Sequence, residues 1–378
     1  MRFNALGSLR GLAALVVVIH HHLLVFPDLF PTKTGVGGWF DWLSFTPLHL
    51  FWAGGEAVSF FFLLSGFVLT LPVWRGEELD MLNFVVRRVW RVWVPFIVAV
   101  TLAALAFWRL GWASVNGTSG WFENIWKEAG VPAYVQHVLM LGRMDEGLTQ
   151  WAFLPVVWSL KWEMWLSLLL PVVVLLARQH RIFTPLLCVL LLAAHYVFGT
   201  GDIATNLLRY LAMFVLGAWL SRHHGLVART VTRWPTPVPA IVLAATLLLI
   251  PVQWYGWQPD VGWLRATVND TVTLFGSAML VALAMGWAPF RTWLERPVPE
   301  WLGRVSYSLY LYHTLVLTLV VRLGAERLSI PWLLLVSFTL TFPVAELMYR
   351  LVERPAMQQA GRIKRAIRPA SIQPVPAD

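Results

Sequence analysis

Long apolar runs recur along this chain at a spacing that leaves few folds open. Ten segments, approximately 8–26, 50–72, 92–110, 152–177, 183–199, 204–221, 237–255, 269–288, 305–322 and 331–350, approach the length needed to span a bilayer. That length is about 20 mostly apolar residues for roughly 30 Å of hydrocarbon. In such a solvent every backbone N–H and C=O must be satisfied within the protein, so runs of this length are read as helices. Composition agrees: 58% of the residues are hydrophobic and 13% are charged, against about 25% charged in a soluble domain. That is too little polar surface to cover a globule in water. The expectation is an all-α, polytopic transmembrane bundle of about ten helices.

Lys and Arg set the expected orientation. With the N-terminus inside, alternate connections place 20 of these residues on the inner side and 7 on the outer side, the bias that marks cytoplasmic loops. Both termini are therefore expected in the cytoplasm, and the net charge of +9 follows from topology rather than from a nucleic-acid surface. Several Trp residues near run ends (Trp39, Trp42, Trp52, Trp254, Trp257 and Trp263) suit the headgroup region. The first run ends in His20, His21, His22 and Pro27 with no small-residue cleavage site, so it is read as a spanning helix rather than a signal peptide. The long connection 111–151 is expected to hold short surface helices or to line an outward vestibule. Residues 1–355 are expected to form one membrane domain. Residues 356–378, basic and then Pro- and Ala-containing, are expected to be a loosely ordered cytoplasmic tail. The single cysteine, Cys188, lies in an apolar run and supplies neither a disulfide nor a Cys-rich metal site.

Polar groups inside such runs are costly and mark function by default. His21 lies about 16 Å along the first helix from Arg10 at 1.5 Å per residue. Its neighbours His20 and His22 point in directions about 100° away. Glu163, inside the fourth run, needs a partner; Lys161 is two positions away and points to another face, so a histidine or arginine from another helix is the better candidate. Ser306, Tyr310 and His313, spaced i, i+4, i+7, form one polar stripe, which serves a helix seam as readily as a site. Arg88 and Arg91 form a pair of forks suited to an anion such as phosphate, although topology alone also places positive charge there. Glu56, Arg209 and Glu346 are further polar residues in runs, each ambiguous alone.

These residues resemble a known family, the integral-membrane acyltransferase type 3 proteins. The matching stretches are Ser8-Leu9-Arg10-Gly11 leading to His21, Phe60-Phe61-Phe62-Leu63-Leu64-Ser65-Gly66-Phe67, and Arg88-x-x-Arg91 followed by Pro95. Trp158-Ser159-Leu160 with Glu163, Ser306-Tyr307-x-Leu309-Tyr310-Leu311-x-His313 and Glu353-Arg354-Pro355 complete the set. Six stretches occur in family order over nearly the whole chain. Ser59 departs from the pattern, standing where many members carry an acidic residue.

The resemblance implies a multi-pass enzyme of the bacterial cytoplasmic membrane. Such an enzyme moves an acyl group, most often acetyl, from cytoplasmic acyl-coenzyme A to a hydroxyl of an extracytoplasmic sugar or glycoconjugate. Acyl-coenzyme A is then a co-substrate, with no tightly bound cofactor and no metal. In that scheme Arg10, Arg88 and Arg91 hold the anionic donor. His21 is the general base, oriented by Glu163. Ser65, Ser159, Ser306, Tyr307, Tyr310 and His313 line the channel, and Tyr307, Tyr310 or His313 serves the oxyanion. A covalent acyl-His21 intermediate is the mechanistic alternative. From the residues alone, a secondary transporter that uses buried Arg, Glu and His as a substrate or proton path stays open.

Overall fold

The computed structural model describes residues 4–30, 43–140, 152–199, 203–255 and 262–367, with side chains through 363. Trp39, Trp42 and Trp257 lie outside the described residues, as does the end of the tail from 368. Among the described residues the regular elements are all helical. In chain order the principal ones are α1 (Asn4–Leu24), α2 (Gly54–Trp74), α3 (Met81–Leu110), α4 (Val157–Leu168), α5 (Leu170–Ala177), α6 (Phe183–Val197), α7 (Ile203–Arg222), α8 (Val238–Leu249), α9 (Trp263–Gly286), α10 (Pro297–Gly324) and α11 (Ile330–Ile363).

Six of them, α1, α2, α3, α7, α9 and α11, are long and apolar enough to cross a membrane. The segment expected as one span over 152–177 is instead broken: α4 and α5 meet at a bend of 69°. Pro171 explains the break, because it has no N–H to give the Ser167 carbonyl four residues back. Helices α6 and α8 are apolar but shorter. Helix α10 has 28 residues, but Ser306, Ser308, Tyr310, Tyr312, His313 and Thr314, all buried, dilute its apolar character.

One further boundary is corrected. Helix α3 begins at Met81 rather than near 92, because Asp80 caps it by accepting from the Asn83 N–H at 3.0 Å. Arg87, Arg88 and Arg91 therefore ride on the helix. Residues Arg354–Ile367 are helical and continue α11, and the rest of the expected tail lies outside the described residues.

Both α3 and α11 contain a π-turn, Val89–Trp93 and Tyr349–Glu353. In each, an N–H reaches five residues back, Val94 to Val89 and Arg354 to Tyr349. A proline follows immediately in both cases, Pro95 and Pro355, and removes the donor that would have continued the α ladder. These turns carry Arg91 and Glu353.

Two glycine crossings hold the bundle together. Helices α1 and α10 touch backbone to backbone: a Cβ on Gly11 would lie 2.4 Å from the Gly303 nitrogen. Helices α2 and α7 do the same, with a Cβ on Gly66 placed 2.1 Å from the Phe214 carbonyl oxygen. Small residues permit such approaches, and dispersion over the close surfaces replaces the hydrophobic drive that lipid does not supply. Both pairs run parallel. Ser8 lies beside Gly303 while His21 lies beside His313; Phe62 lies beside Tyr210 while Phe67 lies beside Gly217.

Between α3 and α4 the chain folds over the far end of α1. Ser119 donates from its N–H to the Val25 carbonyl and from its hydroxyl to the Leu24 carbonyl, both at 2.7 Å. Arg322, near the end of α10, donates to the Ala113 and Ile125 carbonyls at 2.5 and 2.7 Å and lies over the rings of Phe122 and Trp126. This cap contains the short helices Gly120–Glu123 and Val131–Val138, in keeping with the surface helices expected of this connection.

Candidate active site

Each glycine crossing is preceded in sequence by a polar residue that reaches into one cavity. Arg10, next to Gly11, donates to the Ser306 hydroxyl at 2.8 Å and to the Gly303 carbonyl at 3.5 Å. Ser65, next to Gly66, donates to the Glu163 carboxylate at 3.0 Å. The cavity is about 450 Å³ and also exposes Arg75, Arg88, Arg91, Tyr307 and Glu353.

Its charges are unevenly matched. Arg88 is committed: it donates to Glu163 at 2.5 Å and to the Ser167 hydroxyl at 3.1 Å. Glu353 accepts from the Ser308 N–H and hydroxyl at 3.1 and 2.6 Å. Arg91 is exposed toward the cavity and makes no hydrogen bond or ion pair with another described residue. Arg10 bonds only to uncharged oxygens among the described residues. A cavity with more guanidinium than carboxylate, and with donors unspent, is suited to a multiply charged anion. Tyr307 spends its hydroxyl on the Val92 carbonyl inside the π-turn, at 2.7 Å. This ties α10 to the turn that presents Arg91.

Farther along α1 and α10 lies a second cluster. His21 Nδ1 is 2.9 Å from His313 Nε2, and the His21 ring stacks on Trp121 of the cap with centroids 5.1 Å apart. The two groups of residues are separated by about 16 Å along α1, from Arg10 to His21. Tyr310 lies between them: it lines the cavity, shares a 2.6 Å hydrogen bond with Ser159, and its ring centroid is 6.0 Å from that of His313. The other two histidines of the run are turned elsewhere. His20 donates to the Trp52 carbonyl at 3.0 Å and His22 to the Val18 carbonyl at 2.7 Å.

Most of the sequence-derived residues thus gather in one tract. Arg10, Ser65, Arg88, Arg91, Ser159, Glu163, Ser306, Tyr307 and Tyr310 border the cavity, and His21 and His313 meet beyond it. The expected pairing of His21 with Glu163 is corrected. Glu163 is held by Arg88 and Ser65, and His313 takes the place beside His21. Sequence reasoning also missed Glu353 as a cavity residue, although its motif and the following proline were visible, and Trp121, for which no signal existed. Three ambiguous residues are engaged elsewhere. Arg209 grips Asp270 at 2.7 and 3.0 Å, Glu56 accepts from Trp254 at 2.9 Å and from Gln253, and Glu346 accepts from Trp301 and Arg350. Cys188 is buried and unbridged.

Sequence comparison places the chain in a protein class. The profile of the Acyl_transf_3 family, described as an acyltransferase domain, matches residues 3–350. The chain belongs to that family and is a membrane acyltransferase. It is 22% identical over 355 residues to a protein of Acidianus two-tailed virus named "Putative acetyltransferase ORF330", covering 92% of each chain. It is 24% identical over 339 residues to the peptidoglycan O-acetyltransferase OatA of Listeria monocytogenes, covering 82% of this chain and 52% of OatA, so that it spans about half of that relative. No solved structure shows a significant match.

Proposed function

We propose that this protein transfers an acetyl group from acyl-coenzyme A, bound in the arginine-lined cavity, to a sugar hydroxyl delivered from the opposite face, with His21 as general base. The observation that carries this reading is the alignment of two unlike sites along one pair of parallel helices. An anion-binding cavity stands at one end and a histidine pair about 16 Å farther on, a separation suited to an extended pantetheine arm. The donor's phosphates would meet Arg91, Arg10 and Arg88. The acceptor is of the class named for OatA, a cell-wall glycan.

The reaction balances without further groups. The acceptor oxygen attacks the thioester carbon as its proton passes to His21 Nε2. The C–S bond then breaks, and the departing thiolate takes the proton back. A positioned general base typically contributes about 10²–10⁴-fold.

Ten crossings with both termini in the cytoplasm accompany this reading. The six long helices are joined by the bent pair α4–α5, by the shorter α6 and α8, and by the polar-striped α10. Under strict alternation the first and ninth crossings run parallel, as do the second and sixth. The α1–α10 and α2–α7 packings agree with this. The arginine-rich side then faces the cytoplasm of a bacterial cell, where the donor is made.

The test uses the detergent-purified protein and its His21→Ala variant. Coenzyme A should raise the thermal stability of both, and acetyl-coenzyme A cleavage in the presence of solubilised peptidoglycan fragments should survive only in the wild type. If neither protein responds to saturating coenzyme A or its acetyl ester, the donor assignment fails and the transporter reading replaces it.

A further inference from the structure

The histidine pair has a direction that follows from elementary hydrogen-bond bookkeeping. His313 Nδ1 lies 3.1 Å from the Leu309 carbonyl. A carbonyl has no hydrogen to give, so Nδ1 is the donor and carries the proton. A neutral imidazole bears one N–H and one lone pair, so the lone pair of His313 sits on Nε2. That lone pair faces His21 Nδ1 at 2.9 Å. His21 must therefore supply the hydrogen of this bond, which leaves its own lone pair on Nε2.

We propose that His313 is a positioning residue for this enzyme. Its Nε2 accepts from His21 Nδ1–H, holding the ring in the one tautomer and orientation that presents a basic Nε2 to the acceptor hydroxyl.

This inference rests on the proposed role of His21 and deepens it. Four features support it. His313 is fully buried on α10, and its ring is fixed at both nitrogens, by Leu309 within its own helix and by His21 across the seam. The Trp121 ring lies nearly parallel to that of His21, at 17°, and restricts it to one plane. The parallel packing at Gly11 and Gly303 sets the register that brings residues 21 and 313 level. Last, no carboxylate is bonded to either ring among the described residues. The titratable groups facing His21 are His313 from α10 and His20 and His22 from its own helix. The arrangement keeps the orienting half of a Ser-His-Asp triad but uses a neutral imidazole as the orienting acceptor. When His21 takes the acceptor's proton it becomes an imidazolium whose Nδ1–H still points at a lone pair, so the charge forms without any group having to turn.

Two readouts test this. In ¹⁵N-histidine-labelled wild-type protein, the His21 signals are identified by their loss in His21→Ala, and they should report a proton on Nδ1 and none on Nε2. A resting His21 protonated on Nε2 overturns the proposal whatever the kinetics show. The second readout is acetyl transfer from acetyl-coenzyme A to solubilised peptidoglycan fragments in His313→Gln, His313→Asn and His313→Leu. The Gln side-chain oxygen can reach the place of Nε2 and accept the same hydrogen; Asn is too short and Leu has no acceptor. Transfer should fall on the order of 10²–10⁴-fold in the Leu and Asn variants, while coenzyme A still stabilises them thermally. The Gln variant should stay within about tenfold of wild type. A wild-type rate in His313→Leu, or a Gln variant no better than Leu, refutes the positioning role. Full activity in His21→Ala would instead refute the general-base reading, and it leaves the tautomer result to stand on its own.

Discussion

Replacing Gly66 by Ala should lower stability, and the structure sets the size of the effect. The added Cβ would lie 2.1 Å from the Phe214 carbonyl oxygen and 2.8 Å from its Cα. Both are backbone atoms, so no side chain can swing away. Restoring an ordinary contact of 3.4 Å requires α2 and α7 to part by about 1.3 Å at this level. Overpacking of this kind costs about 1–3 kcal/mol, occasionally more. The expected loss is therefore about 1–3 kcal/mol. Gly55→Ala is the control: it lies in the same helix with nothing within 4 Å of the new Cβ, and helix propensity alone predicts a gain of up to about 1 kcal/mol. Equilibrium unfolding in mixed detergent–denaturant micelles, followed by Trp fluorescence, measures both variants. If Gly66→Ala unfolds with the wild type, the helices are not in backbone contact there and the reasoning fails.

Three further outcomes follow from the cavity and the cap. Arg91→Ala should weaken coenzyme A-dependent stabilisation by roughly ten- to a hundredfold in concentration, the weight of one charge-assisted contact; an unchanged titration would remove Arg91 from the donor site. Glu163→Gln leaves Arg88 without its carboxylate, so the resting protein should lose about 1–3 kcal/mol, since the pair borders an open cavity rather than a dry core. The same variant should respond to coenzyme A at lower concentration, and a weaker response would show that Glu163 serves the donor rather than competing with it. In the cap, partial burial of Glu123 opposes its ionisation. The Val115 N–H, the Thr118 and Ser114 hydroxyls and Arg322 outweigh that and hold its carboxyl below the ordinary range. A carboxyl lowered on folding contributes stability above its unfolded value, about 4.3, and loses it as pH falls through the folded value. Protease resistance of the 111–140 segment should therefore decline on acidification below about pH 5. In Glu123→Gln that pH dependence should disappear, and its persistence would assign the effect to another group.

Which parts of this molecule could be read in advance depends on whether the cause is local. Apolar length is local, so every predicted run appears as helix, and the broken one carried its own marker in Pro171. The start of α3 was missed because a single cap at Asp80 outweighed the apolar boundary at Val92; an amphipathic turn bearing Arg87 and Arg88 has no apolar signature to find. Partner choice is not local. Glu163 and Arg88 are 75 positions apart, and His21 and His313 are 292 apart. Nothing in either residue states which helix will lie beside it, so a carboxylate was expected near His21 where an imidazole stands. The information that decided this sits in the glycines next to the polar residues. Arg10-Gly11 joins a side chain that reaches across the α1–α10 seam to a residue that lets that backbone come close, whereas at Ser65-Gly66 the glycine seats α7 and the serine reaches Glu163 on α4. Gly303 and Gly217 are the complementary surfaces. In a lipid-solvated bundle, where apolar faces do not discriminate among partners, such polar–small pairs select the neighbour. The chemistry at Ser306 and His313 then follows from which backbones can touch at the α1–α10 seam.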